Sequence, residues 1–178
     1  MSHLIVADLH GSVSAAAKLE SIVNERKPEC ILLLGDILRG APDEDNYRVA
    51  NILNSLPCGF IAVKGNCDYM SDRYALNHDL PIDRALNLYG WQIHMQHYPY
   101  ATTPSPRSIY LYGHTHRKEL WAVNGGVICN PGSIALPRDG VPSYAELDQK
   151  GIRLLDANTS EIIKEIPFLN MTIDSYSH

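Results

Sequence analysis

Residues 4–11 read LIVADLHG, and how this stretch is read decides the fold. Its apolar run is too short for a helix, and it breaks on Asp8, His10 and Gly11. The same pattern returns at CILLLGD (30–36) and at GFIAVKGNCD (59–68), each an apolar run closing on Gly and a polar side chain. Between the runs the spacing turns helical. A helix is predicted from Ser12 to Lys27, with Ala15, Ala16, Leu19, Ile22 and Val23 on its stripe and Pro28 as its stop. A second is predicted from Asp43 to Leu56 on Val49, Leu53 and Leu56. Continuous apolar strands separated by helices imply a parallel sheet covered on both faces.

The second half changes character. ALNLYGWQIHM, IYLYG, ELWAV, GVICN, SYAELD, GIRLLD and EIIKEI read as strands divided by turns, and Asn124-Gly125-Gly126 predicts antiparallel hairpins there. The expected architecture is α/β: a mixed, two-sheet β-sandwich flanked by helices. We expect one domain over residues 1–178, with its core at about 3–166 and a C-terminal tail at 167–178.

Apolar residues make up 45% and charged residues 20%, as in an ordinary globular domain long enough to bury a core. A net charge of −5 and a pI near 5.9 argue against a broad basic surface for extended nucleic acid, while leaving a small nucleotide possible. No apolar run reaches the roughly 18 residues of a membrane span. The N-terminus enters a strand at once and reads as mature. Cys30, Cys58, Cys67 and Cys129 are widely spaced without a C-x-x-C pair, which suits a reducing cytoplasm.

The informative feature is where polar residues fall. Asp8, His10, Asp36, Asn66, Asp68, His97, His114 and His116 all follow apolar runs. Ligands of open α/β sheets bind beyond the carboxyl ends of the strands, so one rim would collect these side chains. Singly each has a plain alternative: Asp8 and Asp36 as turn formers or helix caps, Asn66 as a turn residue, the pair in GHTH (113–116) as surface histidines. As an extended segment, GHTH would project His114 and His116 to the same side. Jointly, carboxylate, imidazole and amide donors in this order point to first-row divalent metals. Asp8, His10, Asp36, Asn66, His97, His114 and His116 are more than one ion needs, which favours a two-metal site. His94 lies at odd offset from His97 along a strand and is expected to face away.

The ordered motifs Asp8-Leu9-His10, Gly35-Asp36, Gly65-Asn66-Cys67-Asp68, His97 and Gly113-His114-Thr115-His116 resemble those of the calcineurin-like metallophosphoesterase superfamily. With NPGS (130–133) and LPRDGVPSYAELD (136–148), the chain is similar to its YfcE-like branch of small phosphodiesterases over residues 3–166. The resemblance implies two divalent ions, with manganese foremost and iron, nickel or zinc as alternatives. Asp8, His10 and His116 would hold one, Asn66, His97 and His114 the other, and Asp36 would bridge them. It implies in-line attack by hydroxide on a small soluble phosphate ester, most simply a diester. A phosphomonoesterase or a nucleotide pyrophosphatase is the near alternative.

Two departures follow from the same motifs. The family pattern is G-N-[H/C]-[D/E], and relatives with His there have a leaving-group proton donor that Cys67 does not replace. Cys67 as nucleophile lacks the C-x₅-R phosphate loop. The second is at His97-Tyr98-Pro99, where the family pattern is H-G-H. Arg39 in GDILRG is either a solvated loop residue or, with Asn66, a substrate contact gripping a phosphate oxygen. Beyond the substrate, a homo-oligomer is the partner the family suggests. The rival class is a non-catalytic trafficking scaffold of the same fold, in which D-x-H or G-H-x-H is eroded.

Overall fold

The computed structural model describes residues 1–40 and 43–170. β1 (His3–Val6), β2 (Cys30–Leu33) and β3 (Gly59–Ala62) pair in parallel, with Ile5 opposite Leu32 and Leu32 opposite Ile61. Helix α1 (Val13–Arg26) joins the first two and α2 (Glu44–Ser55) the next two. Ser12 caps α1 by accepting from the Ala15 N–H, and a left-handed Lys27 closes it before Pro28. Asp43 caps α2 through the Asn46 N–H, with Glu44 and Asp45 in the first turn favoured by the helix dipole. Both helices therefore start and stop within a residue of the predicted limits. A short helix, α3 (Asp72–Ala75), follows β3.

Why the first runs are apolar throughout is visible in their two faces. Leu4, Val6, Ile31 and Leu33 pack under the buried stripes of α1 and α2. Ile5, Ala7, Leu32 and Leu34 point the other way, into a core shared with the second sheet. A strand covered on both sides has no polar phase.

The rest of the first sheet is antiparallel. β9 (Ser143–Asp148) pairs with β1, and β10 (Gly151–Asp156) and β11 (Ile162–Pro167) extend it, giving the order β11-β10-β9-β1-β2-β3. The second sheet has the order β4-β5-β6-β8-β7, from β4 (Asp83–Leu88), β5 (Trp91–Gln96), β6 (Ser108–Leu111), β7 (Lys118–Val123) and β8 (Gly126–Pro131). The expected hairpins form at β4–β5 and at β7–β8, the latter through the left-handed Asn124 and Gly125. At the centre the sheet is parallel instead: β5, β6 and β8 run in one direction. That direction sends the ends of β5 and β6 to one edge. The first residues assigned to a tail are also held in place, since Pro167 ends β11 and the Phe168 ring lies 4.4 Å from that of Trp91. Residues 171–178 of that expected tail lie outside the described residues.

Candidate metal centre

Each predicted ligand leaves the carboxyl end of a parallel strand. Asp8 and His10 follow β1, Asp36 follows β2, Asn66 follows β3, His97 follows β5, and His114 and His116 follow β6. The loops are laced to one another by main-chain bonds. Asp8 N–H donates to Gly35 O at 3.1 Å, His10 N–H to Asp36 O at 2.8 Å, and Gly113 N–H to His97 O at 3.0 Å.

Asp8, His10, Asp36, His114 and His116 all sit at positive φ, between 49° and 66°. A non-glycine residue costs about 1 kcal/mol or more there, and such residues gather where function holds them. This overturns the extended reading of GHTH. With both histidines left-handed, the loop turns at each, and the two rings serve different halves of the site rather than one side of a strand.

On one half, His116 Nε2 lies 3.5 Å from Asp8 Oδ1 and 3.1 Å from His10 Nε2. On the other, Asn66 Oδ1 lies 3.0 Å from both His97 Nε2 and His114 Nδ1. Asp36 Oδ2 stands between them, 3.6 Å from His10 Nε2 and 3.4 Å from His97 Nε2. Donor atoms of Asp8, His10 and His116, and of Asp8, Asp36 and His97, lie mutually within 4.8 Å. Asp8, Asp36, His97 and His116 are buried, while Asn66 faces solvent.

The hydrogen bonds behind the rings settle what they present. His97 Nδ1 donates to Leu34 O at 2.8 Å and His116 Nδ1 to Leu136 O at 2.9 Å, so that each ring, when neutral, carries its lone pair on Nε2. Those lone pairs meet carboxylate and amide oxygens that are acceptors too. Acceptors crowded on acceptors repel unless protons or cations lie among them. The donor set thus fits divalent metal ions.

The sequence matches the family model of the calcineurin-like phosphoesterase superfamily domain over residues 1–151. The chain belongs to the calcineurin-like phosphoesterase superfamily. As a member it is a phosphate-ester hydrolase of a family that works with two metals. It is 28% identical to phosphodiesterase YfcE of Escherichia coli K12 across 93% of this chain and 97% of that protein. The solved structure of the E. coli phosphoesterase YfcE superposes with a TM-score of 0.85 at 24% identity, covering 94% of this chain and all of that one. Vps29 of Entamoeba histolytica, solved with zinc, has the same fold at a TM-score of 0.67 and 19% identity, covering 94% and 99% of the two chains.

Around this superfamily site the sequence named positions without their tasks. Asp68 is buried and accepts three backbone N–H groups: Ile37 and Leu38 on Oδ1, each at 2.9 Å, and Gly65 on Oδ2 at 2.8 Å. It pins the Asp36 loop to the Asn66 loop. Gly65 is required by the same closeness, because a Cβ there would run into the Asp36 backbone N and Oδ1. Asn130 donates to Gly113 O at 2.8 Å and to Thr115 Oγ1 at 3.0 Å, and Ser133 Oγ donates to Asp8 O at 2.8 Å. NPGS therefore shapes both His loops from behind.

His94 lies off the site, its ring 5.0 Å from that of Tyr110, as its odd offset from His97 requires. Arg39 is half-exposed, and its guanidinium lies 3.3 Å from Asp43 and 3.7 Å from Asp45, so it is shared between carboxylates. The arginine that sequence reasoning missed is Arg138. Its N–H donates to His116 O at 3.0 Å, its positive charge bears on His10 and His114, and it has no carboxylate partner among the described residues. Nothing in PRDG (137–140) marks it; only the fold brings it beside His116.

Burial raises the Asp8 carboxyl to about 7 and Asp68 to about 6. Burial would raise Asp36 as well, but in the metal-free site hydrogen bonds from a protonated His97 ring, which Asp36 in turn favours, and from the Cys67 N–H outweigh it and hold Asp36 near 2. A carboxyl raised on folding contributes stability that is complete below its unfolded value, near 3.9, and lost as pH climbs toward the folded one. His10 and His114 are lowered by burial and work in the opposite sense, losing stability as pH falls, but the carboxyl shifts are the larger. Metal-free protein is therefore expected to melt about 5 °C or more lower at pH 8 than at pH 5, with Mn²⁺ restoring most of the difference. A melting temperature that stays level or rises across that interval would contradict the electrostatics.

Proposed function

We propose that the protein hydrolyses small soluble phosphodiesters with two divalent ions held by Asp8, His10, Asp36, Asn66, His97, His114 and His116. The observation that carries this is the position of Asp36 Oδ2, within 3.6 Å of His10 in one half and of His97 in the other. A single carboxylate oxygen facing both donor sets suits a bridge. Asp8, His10 and His116 form the first set; Asn66, His97 and His114 form the second. When bound, the ions supply hydroxide near neutral pH and offset charge on the phosphoryl oxygens. The chain's own residues hold the geometry: His97 and His116 are locked in orientation through Leu34 and Leu136, and Asp8 is fixed by the His114 N–H at 3.1 Å. We assign Arg138, whose charge is felt at His10 and His114, to a phosphate oxygen. Arg39 can join it only by leaving Asp43 and Asp45, and Asn66, being exposed, can face substrate as well as metal.

Cys67 supports a reading in which the ions do most of the work. Burial, and then the nearby Asp36 charge, push its thiol up to about 11, so at neutral pH it is not a thiolate. Cys67→Ala is expected to keep activity within about tenfold on esters with good leaving groups. A loss above about a hundredfold would show that the thiol carries the leaving-group proton after all.

Manganese is the ion we assign, with iron, nickel or zinc as alternatives, because the donors are oxygen and imidazole with no thiolate required. We also assign residues 1–178 to one domain, a cytoplasmic location and self-association as a homo-oligomer. The location rests on four unpaired cysteines. Among the described residues no helix is long and apolar enough to cross a membrane.

The test is hydrolysis of bis-p-nitrophenyl phosphate and p-nitrophenyl phosphate by Mn²⁺-loaded protein, with the diester expected to be cleaved faster. Faster cleavage of the monoester would move the assignment to a phosphomonoesterase. Metal binding alone does not decide against a scaffold, since Vps29 of E. histolytica was itself solved with zinc. Absence of turnover on every ester would favour that class.

A further inference from the structure

A groove of about 290 Å³ opens beside Asn66 and His97 and is lined as well by Ile82, Gln96, Tyr98 and Lys64. Its walls are unusual for a surface. Ile82 is 77% and Tyr98 52% exposed, two large apolar faces left in water next to a polar site. Tyr98 is held there by its neighbours. Its ring centroid lies 4.6 Å from that of His114 and 5.3 Å from that of His97, and Gln96 Nε2 donates to its carbonyl at 2.8 Å. Such an anchored ring can stack on a planar partner without first paying for its own ordering.

Lys64 also lines a second groove, of about 220 Å³, with Tyr69, Met70, Arg73 and Arg84. Asp79 is the acidic member of that lining. Lys64 and Arg84 have no carboxylate partner among the described residues, so in a chain of net charge −5 this outer end is locally cationic. The groove meets the ligand cluster through Asn66 and His97. In-line displacement sets the leaving oxygen opposite the attacking one. The ester's other substituent projects to the side of that line.

We propose that this groove seats the retained arm of the diester, that the arm is a planar aromatic group lying against Tyr98 and Ile82, and that Lys64 takes a further anionic group at its far end. This deepens the phosphodiesterase reading and rests on it. Binding energy taken from a non-reacting arm is a usual source of substrate choice.

The experiment keeps the leaving group constant and varies the arm. For Mn²⁺-loaded protein, kcat/KM for phenyl p-nitrophenyl phosphate is expected to exceed that for methyl p-nitrophenyl phosphate by about tenfold, through KM. A para-carboxyphenyl arm is expected to gain about fivefold more. Tyr98→Ala should bring the phenyl-to-methyl ratio toward one while Tyr98→Phe retains it. Lys64→Ala should remove the carboxylate gain and Lys64→Arg restore it. Affinities for slowly cleaved diphenyl and dimethyl phosphate, measured calorimetrically, should show the same ratio. Turnover of both p-nitrophenyl diesters with equal kcat/KM overturns the groove assignment and leaves the phosphodiesterase reading standing. Inertness toward both removes that reading, and the calorimetric ratio then decides the groove, equal affinities overturning it.

Discussion

Asp36→Asn should lower kcat/KM by more than about a thousandfold on every ester tested, the scale on which a broken transition-state charge clamp is felt. The reason is positional. Asp36 Oδ2 faces His10 at 3.6 Å and His97 at 3.4 Å, so a single carboxylate oxygen looks onto both donor sets. The amide keeps an acceptor for the Cys67 N–H, which now donates to Oδ1 at 2.7 Å, and so preserves the loop. What it loses is the charge and the second acceptor. Metal content should fall from two ions to at most one per chain while the far-ultraviolet dichroism stays as in the wild type. A variant that kept two ions and activity within tenfold would refute the bridging assignment.

Asp68→Ala is the second large effect, and it should act on stability and metal affinity together. It leaves the N–H groups of Gly65, Ile37 and Leu38 buried without their acceptor. Unsatisfied buried donors cost roughly 1–3 kcal/mol each and do not add fully, so a loss of about 3 kcal/mol is expected, or a melting temperature lower by about 10 °C. Because those bonds join the Asp36 and Asn66 loops, Mn²⁺ affinity should also fall by about 10- to 100-fold, as when a group supporting a ligand is removed. Asp68→Asn, retaining one acceptor oxygen, should lie between. Saturating Mn²⁺ should recover part of the turnover of Asp68→Ala but none of the loss in Asp36→Asn. Wild-type melting and wild-type metal affinity in Asp68→Ala would show that the two loops hold themselves without it.

Much of the site was legible because β1, β2 and β3 have no polar phase. Where a run such as LIVA ends, the next polar side chain stands out, and Asp8, Asp36 and Asn66 were found that way. The two-residue period of β5 separates His97 from His94, and the buried phase of Trp91, Ile93 and Met95 carries on into His97. Less legible was anything fixed by direction. Turn residues announce a hairpin, but nothing local announces a parallel pair, so the direction of the β5–β6–β8 core is not legible in the sequence. The motif itself held the clue: His97 and His114 follow consecutive strands, and only parallel strands carry both to one rim.

The sequence alone determined which residue types gather, in which order, and that they follow buried strands, because apolar periodicity and residue chemistry are local properties. Only the tertiary structure decided what each one faces. The left-handed turns at His114 and His116 split a neighbouring pair between two halves of the site. Three N–H groups from loops some thirty residues apart converge on Asp68, and the Arg138 N–H reaches back to His116 O. Arg39, which lies close to Asp36 in sequence, is drawn to Asp43 and Asp45. Each of these depends on distances between segments far apart or turned by the fold, and a linear pattern carries no such distance.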